Sequence, residues 1–133
     1  MNEKMACIIQ ARMGSTRLPK KIFKNLDDTF TVLDYVLNQI TSSQLIDKKI
    51  IATTILDEDN DIENYAKESK IDCFRGSSED VLDRYYQCAK KFSISTIIRI
   101  TADCPLIDPQ IIDQVIETFQ LNSYDYVSNT QPI

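Results

Sequence analysis

Short apolar runs alternate with apolar positions at helical spacing along this chain. Residues 5–9 (M-A-C-I-I) form an unbroken apolar run, the mark of a strand buried on both faces. Val32, Leu33, Val36, Leu37 and Ile40 fall on one helical face, with Thr31 and Asp34 spaced as a capping pair at its start. Residues 49–53 predict the next strand, Ile62, Tyr65 and Ala66 a shorter helix, and residues 71–74 a brief strand. Ser77 or Ser78 is placed to cap a helix whose face is Val81, Leu82, Tyr85, Ala89 and Phe92. Residues 96–101 read as a strand. Asp108 as N-cap and Pro109 in the first helical position then open a helix carrying Ile111, Ile112, Val115, Ile116 and Phe119. Residues 124–128 are the candidate for a last strand.

This alternation of strand and helix predicts an α/β fold with a mostly parallel sheet and helices on both faces. In such sheets ligands sit beyond the carboxyl ends of the strands, near the point where the strand order reverses. Three loops meet that condition: 10–21 after the first strand, 53–60 after the second, and 101–108 after the fourth. There is no internal repeat and no low-complexity linker, so 133 residues read as one domain with a hydrophobic core of its own.

Charge changes the picture more than composition does. The formal net charge is −5, which argues against nucleic-acid binding through a broad positive field. Residues 1–24 nevertheless hold six basic side chains and a single acid, so they sum to +5 and the remainder to −10. A basic segment on an otherwise acidic protein suits local binding of a small anion, or a solvated face. No apolar stretch approaches the roughly 20 residues that span a bilayer, and no signal-peptide pattern is present, so the expectation is a soluble cytoplasmic protein. Cys7, Cys73, Cys88 and Cys104 form no C-x-x-C pair and there is no histidine, so buried free thiols are expected rather than a zinc site.

Three segments are candidates for chemistry. Q-A-R-M-G-S-T-R-L-P-K-K, residues 10–21, lacks the pattern of a P-loop or a dinucleotide fingerprint. Gly14 would still let the backbone approach a ligand, Ser15 and Thr16 offer donors, and Arg12, Arg17 and Lys21 can surround a polyphosphate. An exposed basic turn is the alternative. Asp103 follows the fourth strand, where a lone carboxylate suits Mg²⁺ or a turn, and Asp108 is best explained as the helix cap. In F-R-G-S-S-E-D-V-L-D-R-Y, residues 74–85, Gly76 and the serines fit a helix start whose amides can also meet an anion. Arg75 and Arg84 are expected to pair with nearby carboxylates at the surface. The acidic run D-E-D-N-D at 57–61 fits a solvated first helical turn, favoured by the helix dipole.

Four segments, Q-A-R-M-G-S-T-R-L-P-x-K, I-A-T-T, F-R-G-S-x-x-D-V-L-D-R-Y and R-I-T-x-D-C-P-L-I-D-P, in this order and spacing closely resemble the cytidylyltransferases of the spore coat polysaccharide biosynthesis protein F family. These are relatives of CMP-KDO synthetase and acylneuraminate cytidylyltransferase. The resemblance runs from Cys7 to Asn129 and covers the N-terminal part of a family whose members are usually much longer. It implies a Rossmann-like nucleotidyltransferase fold, the nucleotide-diphospho-sugar transferase type. The implied activity is transfer of CMP from CTP to a sugar or sugar acid, with Mg²⁺ as cofactor and pyrophosphate as product, serving surface polysaccharide biosynthesis. Arg12, Arg17 and Lys21 match the family's triphosphate contacts, and residues 11–21 its signature loop, with Ala11, Gly14, Ser15 and Thr16 beside the nucleotide. Arg75, Ser77 and Asp80 match a region lying along the nucleotide, and Asp103 matches the metal aspartate. Neither nucleic acid nor membrane is an expected partner, whereas a homodimer is. The competing reading is a non-catalytic nucleotide- or partner-binding module that retains the fold, and transfer from GTP or UTP is a third.

Overall fold

The apolar runs become the strands of one parallel sheet. The computed structural model describes residues 5–14, 21–25, 27–101 and 109–122. Strand β1 (Met5–Gln10) leads through a 3₁₀ turn (Lys21–Phe23) to helix α1 (Val32–Thr41) and strand β2 (Lys48–Thr54). A second 3₁₀ turn (Asp57–Asp59) runs into α2 (Asn60–Glu68), then β3 (Asp72–Gly76), α3 (Val81–Phe92), β4 (Thr96–Thr101) and α4 (Pro109–Asn122). Strand order is β3-β2-β1-β4, and each neighbouring pair is parallel. The order reverses between β1 and β4, with Gln10 in register with Thr101 at that edge.

Right-handed crossovers then decide which face each helix covers. Stepping from β1 to β2 to β3 places α1 and α2 on one face, whereas stepping back from β3 to β4 places α3 on the other. The cores match this arrangement. Cys7, Ile9, Ile51 and Ile100 pack with Leu33, Val36 and Ile40 of α1, Ile62 and Ala66 of α2, and Ile112 and Ile116 of α4. Ala6, Ile8, Ile50 and Ala52 point the opposite way, against Tyr85 and Cys88 of α3. Central β1 is therefore buried on both sides, which is why its sequence does not alternate.

Helix α1 follows the sequence expectation closely. Thr31 and Asp34 form a reciprocal capping box, and the five apolar residues expected on its inner face are all buried. Burial opposes ionisation of Asp34, but hydrogen bonds from the Tyr65 hydroxyl and from Thr31 outweigh it and hold the carboxyl below its ordinary range. Pro109 is the first helical residue of α4, as expected; Asp108 and the candidate strand at 124–128 lie outside the described residues. β3 begins one residue later than expected and continues to Gly76. Cys7, Cys73 and Cys88 are free thiols. Burial pushes Cys7 up to about 12 and Cys73 and Cys88 up to about 11, so each is held as the unreactive thiol. Among the described residues no helix is long and apolar enough to cross a membrane.

The start of α3 departs from expectation. Neither Ser77 nor Ser78 is its cap: the Ser77 hydroxyl accepts from the Asp80 N–H at 3.0 Å, forming a separate turn, and the Asp80 carboxylate then caps the helix by accepting from the Asp83 N–H at 3.0 Å. With the helix beginning at Val81, Leu82 points outward at 81% exposure, and Arg84 takes an inward position beside Tyr85 and Cys88.

Candidate active site

All four strands are parallel and end at the same edge, where residues 11–14, the β2–α2 connection and residues 77–80 follow β1, β2 and β3. β1 gives way to residues 11–14, whose side chains alternate in direction. Ala11 and Met13 are buried in the core while Arg12 is exposed. The Ala11 N–H donates to the Ala52 carbonyl at 3.1 Å, so the segment leaves the sheet in an extended path beside β2. Two apolar anchors thus hold a short backbone stretch while directing the Arg12 guanidinium to solvent at the switch point.

Asp59 fastens this stretch to β2. Its Oδ1 accepts from the Met13 N–H at 2.7 Å and its Oδ2 accepts from the Thr54 hydroxyl, with the whole residue closed to solvent. The acidic run at 57–61 is therefore not a uniformly solvated turn. Asp57, Glu58 and Asp61 are exposed, but the 3₁₀ turn rotates Asp59 inward, where an otherwise unpaired backbone donor needs an acceptor. Beside it, Gly14 gives close approach: a Cβ there would lie 2.7 Å from Glu58 Oε1.

Arg75 and Arg84 frame the β3 side. Arg75 donates from Nε to the Thr54 carbonyl at 2.7 Å, from Nη2 to the Leu56 carbonyl at 2.6 Å, and from Nη1 to Asn60 Oδ1 at 2.5 Å. Its nearest carboxylate contact, Glu63 Oε1, is at 3.8 Å, so the expected surface ion pair is secondary to a clamp on the β2–α2 connection. Arg84 is not a surface pairing residue at all. It is 1% exposed, and it donates from Nε to the Ser77 carbonyl at 2.9 Å and from Nη2 to the Ser78 carbonyl at 3.5 Å. Gly76 makes room for it. A Cβ at Gly76 would lie 2.8 Å from Phe74 Cε2 and 3.1 Å from Arg84 Cγ. Gly76→Ala is accordingly expected to lower stability by about 1–3 kcal/mol through overpacking, read as a shift in the urea midpoint.

The structure brings Ala11, Arg12, Gly14, Arg75, Ser77 and Asp80 to this one edge. Lys21 opens the 3₁₀ turn, whose next residue, Ile22, is buried in the core. Ser15, Thr16, Arg17 and Asp103 lie outside the described residues. Asp59 and Arg84 are the residues that reasoning from sequence missed. Arg84 had a signal, since Val81, Arg84, Tyr85 and Cys88 share one helical face. Asp59 had none, standing in a row of polar residues that read alike. A separate cavity of ≈ 870 Å³ opens by the starts of β2 and β3, lined by Phe30, Tyr35, Tyr65 and Lys70, and none of the candidate site residues borders it.

Comparison with known proteins identifies the family and the fold. Residues 6–133 match the cytidylyltransferase family. An uncharacterized protein of Methanocaldococcus jannaschii is 42% identical over 125 residues, covering 94% of this chain and 51% of its own length. The spore coat polysaccharide biosynthesis protein SpsF of Bacillus subtilis is 37% identical over 128 residues, covering 92% of this chain and 53% of its own. The structure of a cytidylyltransferase from Leptospira borgpetersenii superimposes with a TM-score of 0.84 at 40% identity, over 91% of this chain and 50% of that one. The chain thus spans about half the length of the relatives it matches. With the family matched over nearly its whole length and the nucleotidyltransferase fold in place, this chain belongs to the cytidylyltransferase family.

Proposed function

We propose that this chain is the nucleotide-binding part of an enzyme that transfers CMP from CTP to a sugar or sugar acid and releases pyrophosphate. The observation that carries this reading is the segment after β1, anchored by Ala11, Met13 and Asp59 so that Arg12 is exposed at the switch point of a parallel sheet. That is where such folds place nucleotides. The likeness to SpsF supports a role in surface polysaccharide synthesis.

The reaction joins the sugar hydroxyl oxygen to the α-phosphorus and breaks the bond from that phosphorus to the bridging oxygen of pyrophosphate. No protein nucleophile is required, so the chain's contribution is positioning and neutralisation of charge. Arg12, Arg17 and Lys21 would hold the triphosphate and stabilise the leaving pyrophosphate. Residues 75–80 would lie along the nucleotide, with Arg75 keeping the β2–α2 connection out of its path. Mg²⁺ takes one or two protein carboxylates and leaves its other positions to water and phosphate oxygens, and Asp103 is the ligand proposed here. When bound, Mg²⁺ supplies charge neutralisation on the phosphate oxygens.

Calorimetry with CTP and Mg²⁺ tests the reading, and no heat at millimolar nucleotide from folded protein would refute it. Arg17→Ala and Lys21→Ala are each expected to weaken CTP about tenfold or more while leaving cytidine unchanged. Equal losses for both ligands would remove the phosphate assignment. Binding without turnover, by a module that keeps the nucleotide-binding fold, is a second reading. Pyrophosphate release from CTP with a panel of sugar acids separates the two, because turnover by this chain eliminates the non-catalytic module.

A further inference from the structure

Arg84 stands first in size among the fully buried side chains of the described residues, and its burial is incompletely satisfied. Nε and Nη2 meet main-chain carbonyls, but Nη1 is closed to solvent and has no hydrogen-bond partner. A buried guanidinium with an open donor is costly, and carbonyls do not neutralise it. The residue lies in the first turn of α3, where free amides and the helix dipole already favour negative charge. Burial lowers its affinity for the proton and the Arg12 charge lowers it further, whereas Tyr85 and the buried Asp59 raise it. Arg84 thus lies within electrostatic reach of both Arg12 and Asp59.

We propose that Arg84 is a phosphate-binding residue of this site, its Nη1 donating to a phosphate oxygen of the bound nucleotide that Arg12 also reaches. The identity of the nucleotide rests on the function proposed above; the group recognised is the oxyanion itself. An anion between the two guanidinium groups relieves their repulsion, gives Nη1 its missing acceptor, and meets the amino end of α3. Access requires the 77–80 turn to shift, and the turn's weaker hold on the guanidinium, the 3.5 Å contact from Nη2 to Ser78, is the one placed to give way.

Arg84→Met and Arg84→Lys, titrated with CTP, inorganic tripolyphosphate and cytidine, test this. Loss of one charge-assisted contact is expected to weaken CTP and tripolyphosphate about 10- to 100-fold in Arg84→Met and to change cytidine by less than about twofold. Arg84→Lys keeps the charge without the fork, and should retain folding while binding tripolyphosphate several-fold more weakly. If either folded variant holds tripolyphosphate within twofold of the parent, or if cytidine weakens equally, Arg84 is only a strut for the turn and the proposal is overturned. Should Arg84→Met fail to fold, Arg84→Lys decides alone. A parent that binds tripolyphosphate but gains nothing from the nucleoside refutes the CTP reading while leaving the Arg84 assignment intact. A parent that binds neither refutes both.

Discussion

Asp59→Ala is expected to lower the free energy of unfolding by about 3–5 kcal/mol, since it removes the hydrogen bonds from the Met13 N–H and the Thr54 hydroxyl and strands the buried Met13 N–H. That is a large share of the roughly 5–15 kcal/mol a small domain has. The same change releases residues 11–14 from β2, so CTP binding should fall by more than stability alone explains when measured on the folded fraction. Asp61→Ala is the control, because Asp61 is exposed in the same acidic run and should change stability by no more than about 0.5 kcal/mol. Urea unfolding of the two variants checks this. If they differ by less than about 1 kcal/mol, Asp59 is not the fastening that the geometry describes.

The double replacement Ile8→Ala with Ile9→Ala is expected to unfold the protein at room temperature. Both side chains are fully buried, on opposite faces of β1: Ile9 against α1, α2 and α4, Ile8 against α3. Each truncation alone should cost about 2–5 kcal/mol as lost burial plus cavity. Because the two side chains pack in different clusters, the costs should largely accumulate and together consume most of the available stability. Circular dichroism should show both single variants folded with lowered urea midpoints and the double variant without a cooperative transition. Strong sub-additivity would mean that the two faces do not form independent cores.

Much of the fold was legible because its elements are specified locally. The Thr31–Asp34 capping box needs only residues three apart, the burial of residues 5–9 follows from an apolar run with no polar alternation, and Pro109 can open a helix but not continue one. The switch-point rule singled out the loop after β1, whose residues 11–14 leave the sheet at its carboxyl edge. The start of α3 was misread because Ser77 does make a capping-type hydrogen bond, but to the amide of Asp80 in a preceding turn. Ser77, Ser78 and Asp80 are each of a type that can cap a helix, and local chemistry does not rank them.

What the amino-acid order determines by itself is which segments are strands and helices, that the sheet is parallel, and that a basic segment follows the first strand. These depend on periodicity, capping and chain direction, all properties of neighbouring residues. What the tertiary structure alone decided is the role of individual charges. Asp59 is sealed in while Asp57 and Asp61 stay in water, and Arg84 lies beneath a turn made by Ser77 and Ser78. A charged side chain's environment is set by residues distant in sequence, here Met13 for Asp59 and Gly76 for Arg84, and identical residue types a position or two apart can meet opposite fates. The physical reason is that burial of a charge depends on a partner being within hydrogen-bonding distance, which only the folded chain supplies.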